Sequence, residues 1–208
     1  QIYRIKKEGG FKEIPPSLLG HLVKIKKNQW KVISPENLYE KMPYSLSTQS
    51  ILEKISEKNV REHLEFLIER SSRKMGTVGN HETANYIENF LKNYGYRTKR
   101  ECFKKNACNV VGIKKGELDE YVLIEAHFDS VGALKAGADD NASGASALLE
   151  MGRLLSEKSF KRGVIIFATN GEEDGLLGSK YFVKKAESSG LLRKISFFIN
   201  MDMISWNK

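Results

Sequence analysis

Three runs of the sequence are apolar almost without interruption: Tyr121-Val-Leu-Ile-Glu-Ala, Gly163-Val-Ile-Ile-Phe-Ala and Ile195-Ser-Phe-Phe-Ile. Short runs of this kind, bounded by polar turns, predict strands buried on both faces. The stretches between them change to a helical period, with Ala145, Leu148, Leu149, Gly152 and Leu155 on one face of the first. In the second, Leu177, Tyr181 and Val183 to Ala186 supply the apolar positions. Strand and helix in alternation imply a central parallel sheet covered on both sides.

Upstream, the pattern predicts two helices, one through Ile51, Leu52 and Ile55 and one through Val60, Leu64, Leu67 and Ile68, with Asn59 as cap of the second. Asn80 is the expected cap of a further helix that presents Ala84, Ile87, Leu91 and Tyr94 and stops at Gly95. Residues 98–103 and 108–113 read as antiparallel strands, so the sheet is expected to be mixed, parallel at its centre.

All four prolines fall within the first 43 residues, which predicts a boundary near Pro43 to Ser47. Ahead of it, His21-Leu-Val-Lys-Ile-Lys-Lys and Gln29-Trp-Lys-Val-Ile alternate as the arms of a small hairpin across Asn28. Residues 1–45 are thus expected to form a basic N-terminal extension, hairpin-like or propeptide-like, and 46–208 the main domain. The extension holds nine Lys/Arg against four Asp/Glu, so it carries +5 of the net charge of +8. It contains no run of five or six like charges and no nucleic-acid motif, so it reads as a solvated basic surface. No apolar stretch approaches the roughly 18 residues of a spanning helix. The sequence begins at Gln1 without a signal-like segment, so Gln1 is expected to be a processing site or a cut end. Cys102 and Cys108 are the only cysteines. Their spacing suits opposite arms of a short hairpin, and a disulfide and two free thiols both remain open.

Candidate chemistry collects where the apolar runs end. His127 and Asp129, two apart at a strand end, point the same way, so Asp129 can orient one ring nitrogen and leave the other for a metal. A histidine that merely ends a strand would look the same. In Gly137-Ala-Asp-Asp-Asn-Ala-Ser-Gly144, helix-cap chemistry accounts for one polar residue, whereas Asp139-Asp140-Asn141 supplies three. Asn141-Ala-Ser143 matches a glycosylation acceptor, though modification inside so crowded a loop is not expected. Glu172 and Glu173 repel each other unless a cation or a proton lies between them, and a solvated acidic turn is the plain alternative. Asp202 stands among Phe197, Phe198, Ile199, Met201, Met203 and Ile204, where an unpaired carboxylate would be costly. His81-Glu-Thr-Ala-Asn85 starts like a zinc-protease helix but has Asn in place of the second histidine. The four stretches converge on the carboxyl edge of the expected sheet, where open α/β folds place ligands, and imidazole with carboxylates is a zinc-binding set.

In this order, His-x-Asp, Gly-Ala-Asp-Asp-Asn-Ala-Ser-Gly, Asn-Gly-Glu-Glu-x-Gly-Leu-x-Gly-Ser and Asp-Met, the sequence resembles the co-catalytic zinc exopeptidases. That family includes bacterial leucine aminopeptidase, aminopeptidase Y and the glutamate carboxypeptidase-like peptidases. The likeness covers roughly residues 51–205 and takes in Gly76-Thr-Val-Gly-Asn80 and Asn109-Val-Val-Gly. It implies a three-layer α/β/α fold with a mixed, centrally parallel sheet. It also implies Asp140 as a carboxylate bridging two zinc ions and joined to Asn141 by a cis peptide bond. His127 and Asp202 would complete one ion's ligands, Glu173 would hold the other, and Asp129 would orient His127. Glu172 would be the general base, taking a proton from the attacking water and giving it to the departing amine. The substrate implied is a peptide with a free amino terminus, in a secreted or periplasmic setting.

The family draws a last histidine for the Glu173 ion from beyond the Asp-Met stretch, and His21, His63 and His81 do not match it. The domain is therefore expected to be C-terminally incomplete, with three protein ligands for one ion and only Asp140 and Glu173 for the other. Two further functions suit the fold, a glutaminyl cyclase with one zinc and a receptor-like binding domain without turnover. The Asp-Asp-Asn-Ala-Ser-Gly loop is closer to the peptidase form.

Overall fold

The computed structural model describes residues 53–69, 72–132 and 137–205, together with the backbone of four N-terminal strands. Those are β1 (Ile2–Ile5), β2 (Phe11–Glu13), β3 (Leu22–Lys26) and β4 (Gln29–Val32). Then follow α1 (Glu57–Ile68), α2 (Val78–Asn93), β5 (Arg97–Lys104), β6 (Ala107–Lys114) and β7 (Tyr121–His127). The chain continues through α3 (Gly144–Ser156), β8 (Gly163–Thr169), α4 (Leu177–Ser188) and β9 (Ile195–Asn200).

Seven strands form one sheet in the order β2-β1-β9-β7-β8-β6-β5. The three apolar runs are its parallel centre, β7 lying between β8 and β9, while β6 and β5 add antiparallel strands on one side. On the other side β1 pairs antiparallel with β9, so part of the N-terminal extension continues this sheet. The hairpin across Asn28 is present as β3 and β4. The proposed boundary at 43–47 and the helical positions Ile51 and Leu52 lie outside the described residues.

Alternate residues of the central strands feed two separate cores. Val110, Ile124, Ala126 and Ile166 pack with Leu67 of α1, Ile87 and Leu91 of α2 and Leu148 and Leu149 of α3. Val111, Leu123, Ile165 and Phe167 face the other way, onto Phe182 and Ala186 of α4. The result is the expected three-layer α/β/α arrangement. β9 departs from expectation, since only Ile195 is buried and Phe197 is 39% exposed. Of the described helical elements, only the turn Leu191–Lys194 packs substantially on it.

The helix starts also differ in detail. Ser56 caps α1 and accepts from the Asn59 amide, and Thr77 caps α2 and accepts from the Asn80 amide. Both asparagines lie one turn inside, because the shorter hydroxyl side chains reach the free N–H groups and release the amides for contacts elsewhere. On α4 the buried face is Gly178, Phe182 and Ala186, while Tyr181 is exposed. His63 is not near the sheet edge. It is buried between Tyr86 and Phe90, its Nδ1 2.6 Å from the Tyr86 hydroxyl.

The largest fully buried side chain is Arg73. Its guanidinium donates to three backbone carbonyls: Leu67 at the end of α1, Phe128 just past β7, and Gly137 at the start of the acidic loop. Burial lowers its pKa to about 10 against the pull of Asp129 and Asp140, so it stays charged at neutral pH. Arg73→Met would take the donor from the Leu67 and Phe128 carbonyls, while the Gly137 carbonyl keeps the Ala142 N–H, and buried groups left without partners cost about 1–3 kcal/mol each. A loss of roughly 2 kcal/mol or more is expected in denaturant unfolding. A loss within about 0.5 kcal/mol, the range of an ordinary surface substitution, would show that the three contacts are incidental.

Candidate metal centre

β7 and β8 run side by side to His127 and Thr169, so the segments after them leave the sheet at neighbouring points of one edge. His127 is 3% exposed and Asp129 is fully buried. The Asp129 carboxylate lies 3.5 Å from Nδ1 of His127 and accepts the backbone N–H groups of Glu172 and Glu173 at 3.3 and 3.2 Å. One buried carboxylate thus fixes the imidazole of one strand end and the glutamate pair of the other.

The opposite ring nitrogen, Nε2, faces carboxylates. Asp140 Oδ1 lies 3.2 Å away and Asp202 Oδ1 3.4 Å away. Ligand atoms of His127, Asp140 and Glu173 all fall within 4.8 Å of one another. Nε2 of His127 and Glu173 Oε1 are buried without a hydrogen-bond partner among the described residues. Buried polar atoms are almost always partnered, so donors left open toward one point fit a cation there. The structure therefore gathers His127, Asp140, Asp202 and Glu173 at one candidate centre, with Asp129 and Glu172 beside it. Asp140 adjoins both pairs of the expected ligand scheme, and its bond to Asn141 is cis, as the resemblance implied.

Asp202 is placed for a different reason than the sequence suggested. Its side chain is 41% exposed, and Met203 and Ile204 are exposed as well, so no burial cost demands a partner. A strap holds it instead. The Asn141 side-chain amide donates to the Met201 carbonyl at 2.8 Å, and Asn141 Oδ1 accepts from the Met203 N–H at 3.3 Å. Ser143 Oγ accepts from the Ile204 N–H at 3.2 Å, and Asp139 accepts from the Ser205 N–H at 3.1 Å. The run of polar residues after Gly137 is thereby explained, since Asp140 faces the histidine while its neighbours bind the turn that carries Asp202. Gly144 completes the fit, because a Cβ there would stand 2.4 Å from the Met201 carbonyl oxygen. Asn141 is fully buried, which closes the glycosylation site.

A second strap holds the glutamates. Asn80 and Asn170 exchange side-chain hydrogen bonds at 2.9 and 3.0 Å, and Asn80 also donates to the Arg73 carbonyl. Asn109 accepts from the Asn170 N–H at 3.1 Å and donates to the Gly178 carbonyl at 2.9 Å. Gly178 must lack a side chain, since a Cβ would meet Asn109 Oδ1 at 2.1 Å and the Asn170 carbonyl oxygen at 2.3 Å. The sequence reading contained all three asparagines within its quoted segments but did not see that they meet. It missed Arg73 and Glu125 altogether. Glu125 is buried behind His127, with Thr169 donating to it at 2.7 Å. Nothing in a lone Arg or in one Glu within an apolar run marks either as part of the centre.

The electrostatics are those of a site short of positive charge. Burial disfavours a charged His127, but Asp129, Asp202 and Glu172 outweigh it and push the ring up to about 9. Burial raises Glu172 and Glu173, and neighbouring carboxylates add to the rise. Glu125 rises to about 7, chiefly through burial.

Residues 109–208 match the model of peptidase family M28. Aminopeptidase YwaD of Bacillus subtilis is 38% identical over 104 residues, 48% of this chain and 23% of its own. Among solved structures, LapA of Legionella pneumophila aligns with a TM-score of 0.71 at 21% identity, over 78% of this chain and 48% of its own. A glutaminyl cyclase of Porphyromonas gingivalis aligns at 0.62 and 22% identity, over 72% and 60%. The chain thus spans less than two thirds of each of these relatives. The two structural likenesses speak for the zinc exopeptidase fold, which glutaminyl cyclases share, and the match over 109–208, just under half of the chain, marks that stretch as a peptidase M28 domain.

Proposed function

We propose that the protein is a zinc-dependent aminopeptidase, with His127, Asp140 and Asp202 as ligands of one ion and Asp140 and Glu173 as ligands of a second. The observation that carries the reading is the buried imidazole whose free Nε2 faces two carboxylates, 3.2 and 3.4 Å away. Zinc bound there supplies Lewis acidity, which polarises a scissile carbonyl and makes water acidic enough to attack at neutral pH. Glu172 takes the proton from the attacking water and passes it to the departing amine. Its raised pKa brings it nearer the working pH of a residue that must both accept and give a proton. Asp129 holds the histidine ring and, through the N–H groups it accepts, keeps the glutamate pair facing the ligands. The substrate is a peptide with a free amino terminus, drawn amine-first toward the acidic centre.

Over the glutaminyl cyclase reading, the Asp139-Asp140-Asn141-Ala-Ser143 loop and the likeness to an aminopeptidase favour hydrolysis. The Cys102–Cys108 disulfide supports a secreted or periplasmic setting, since such bonds persist in oxidising compartments. Among the described residues no helix is long and apolar enough to cross a membrane.

Two outcomes are expected. Glu172→Gln should keep its bound zinc while kcat on an amino-terminal leucine peptide falls about 10²- to 10⁴-fold, the usual contribution of a general base. Metal content measured beside activity checks this, and an unchanged kcat would remove Glu172 from the mechanism. Zinc affinity should rise with pH. A ring titrating at about 9 is protonated at neutral pH, so the ion must displace its proton. Affinity then gains about tenfold per pH unit until the ring is neutral. Chelator competition at several pH values reads this slope, and a flat profile would contradict it.

A further inference from the structure

The hairpin joining β5 to β6 stands next to the general base. Its arms are closed by the Cys102–Cys108 disulfide, and the enclosed tip carries Lys104, Lys105 and Asn106. Two hydrogen bonds and one close approach hold the base of the hairpin against the residues that precede Glu172. The Asn170 side chain donates to the Cys108 carbonyl at 3.3 Å, and the Asn170 N–H donates to Asn109 Oδ1 at 3.1 Å. A Cβ on Gly171 would stand 2.8 Å from Met75 Sδ and 3.4 Å from the Phe103 ring. The tip therefore borders the turn bearing Glu172 and Glu173, on the same edge of the sheet.

Met75, Gly76, Lys104, Lys105, Asn106 and Ala107 line an open hollow of about 280 Å³ at this border. Both lysines are exposed, and neither has a carboxylate within ion-pair distance among the described residues, although five acidic side chains cluster at the adjoining centre. Two unspent ammonium groups beside an acidic centre make a dipolar site. Its negative part suits the amino terminus of a peptide, and its positive rim suits an anionic group on the leaving side of the scissile bond. The disulfide, the amide contacts and the packing of Phe103 hold that rim at a fixed position relative to Glu172.

We propose that the Lys104–Lys105 hairpin tip is a specificity element that receives a carboxylate of the peptide's leaving portion, favouring short peptides with a free C-terminus or peptides with an acidic residue just past the cleaved bond. The proposal rests on the peptidase reading for its use in catalysis, but its charge chemistry can be tested apart from turnover.

Three peptides separate the sources of the carboxylate: Leu-Gly-Gly as the free acid, Leu-Gly-Gly amide, and Leu-Asp-Gly amide. On the zinc-loaded protein, kcat/KM for either anionic peptide relative to the neutral amide should fall about three- to tenfold in the Lys104→Ala/Lys105→Ala double variant, as expected for losing two exposed ion pairs. The Lys104→Arg/Lys105→Arg variant should restore the ratio, and added salt should erode it in the wild type. Loss confined to Leu-Gly-Gly assigns the terminal carboxylate, and loss confined to Leu-Asp-Gly amide assigns the side chain. A ratio unmoved by the double substitution overturns the proposal. Should no peptide be cleaved, the peptidase reading fails by itself. Calorimetric binding of the same three peptides then decides on the rim, and equal affinities for anionic and neutral forms overturn it.

Discussion

Everything at this centre depends on the buried carboxylate of Asp129. It is fully buried, yet its contacts are the His127 ring and the N–H groups of Glu172 and Glu173, with the Arg73 charge beyond. A buried carboxylate is tolerated only when its oxygens are satisfied. Here the satisfying groups come from the exits of two parallel strands, so the need to solvate one charge brings together a ligand and the glutamate pair. The same oxygens bias His127 toward presenting Nε2, not Nδ1, to the neighbouring carboxylates. Fold and centre are thus coupled through one residue that would touch neither ion nor substrate.

Around that carboxylate, polar side chains do what backbone pairing does within the sheet. Among the described residues, the three segments that leave the carboxyl edge are not paired to one another as strands, and each carries at least one candidate ligand. Asn141, Ser143 and Asp139 bind the turn after β9, and Asn80, Asn170 and Asn109 bind the segment after β8 to α2 and α4. Amides serve well because each offers donor and acceptor together and so joins two backbones without bringing further charge into an acidic centre. Arg73 is the exception. A guanidinium has five donors and no acceptor, which suits a place where three carbonyls converge and two carboxylates lie close.

What could be read from the sequence follows from how local each signal is. The double-sided burial of β7 and β8 is written in their own residues, and so is their parallel pairing through the intervening helix. The clustering of the candidate residues was legible because the four stretches each follow an apolar strand or open a helix, so topology alone brings them to one edge. Asp202 was named for a wrong reason: its apolar neighbours suggested burial, but burial of β9 depends on what covers it, and that is not encoded in β9. Helix caps moved by three residues since Ser56 and Asn59, or Thr77 and Asn80, are equally good caps by type, and only the third-dimensional use of the amides separates them. The disulfide could not be chosen over free thiols from spacing alone, whereas in the hairpin register Cys102 and Cys108 stand directly opposite each other.

The directions of the titrations tie these observations together. His127, Glu125, Glu172 and Glu173 are each displaced toward holding a proton, and neighbouring charges of the same cluster act on all four. A folded chain that packs these groups together has two ways to relieve their repulsion, protons or a cation, and the two compete for the same lone pairs. Protons neutralise the carboxylates one by one and leave His127 with both nitrogens occupied. A divalent cation relieves several carboxylates at once and takes the free Nε2 as a ligand. Since the straps fix the backbone that carries the acidic side chains, the repulsion is built in by the hydrogen-bonded frame, and a cation is the more complete answer to it.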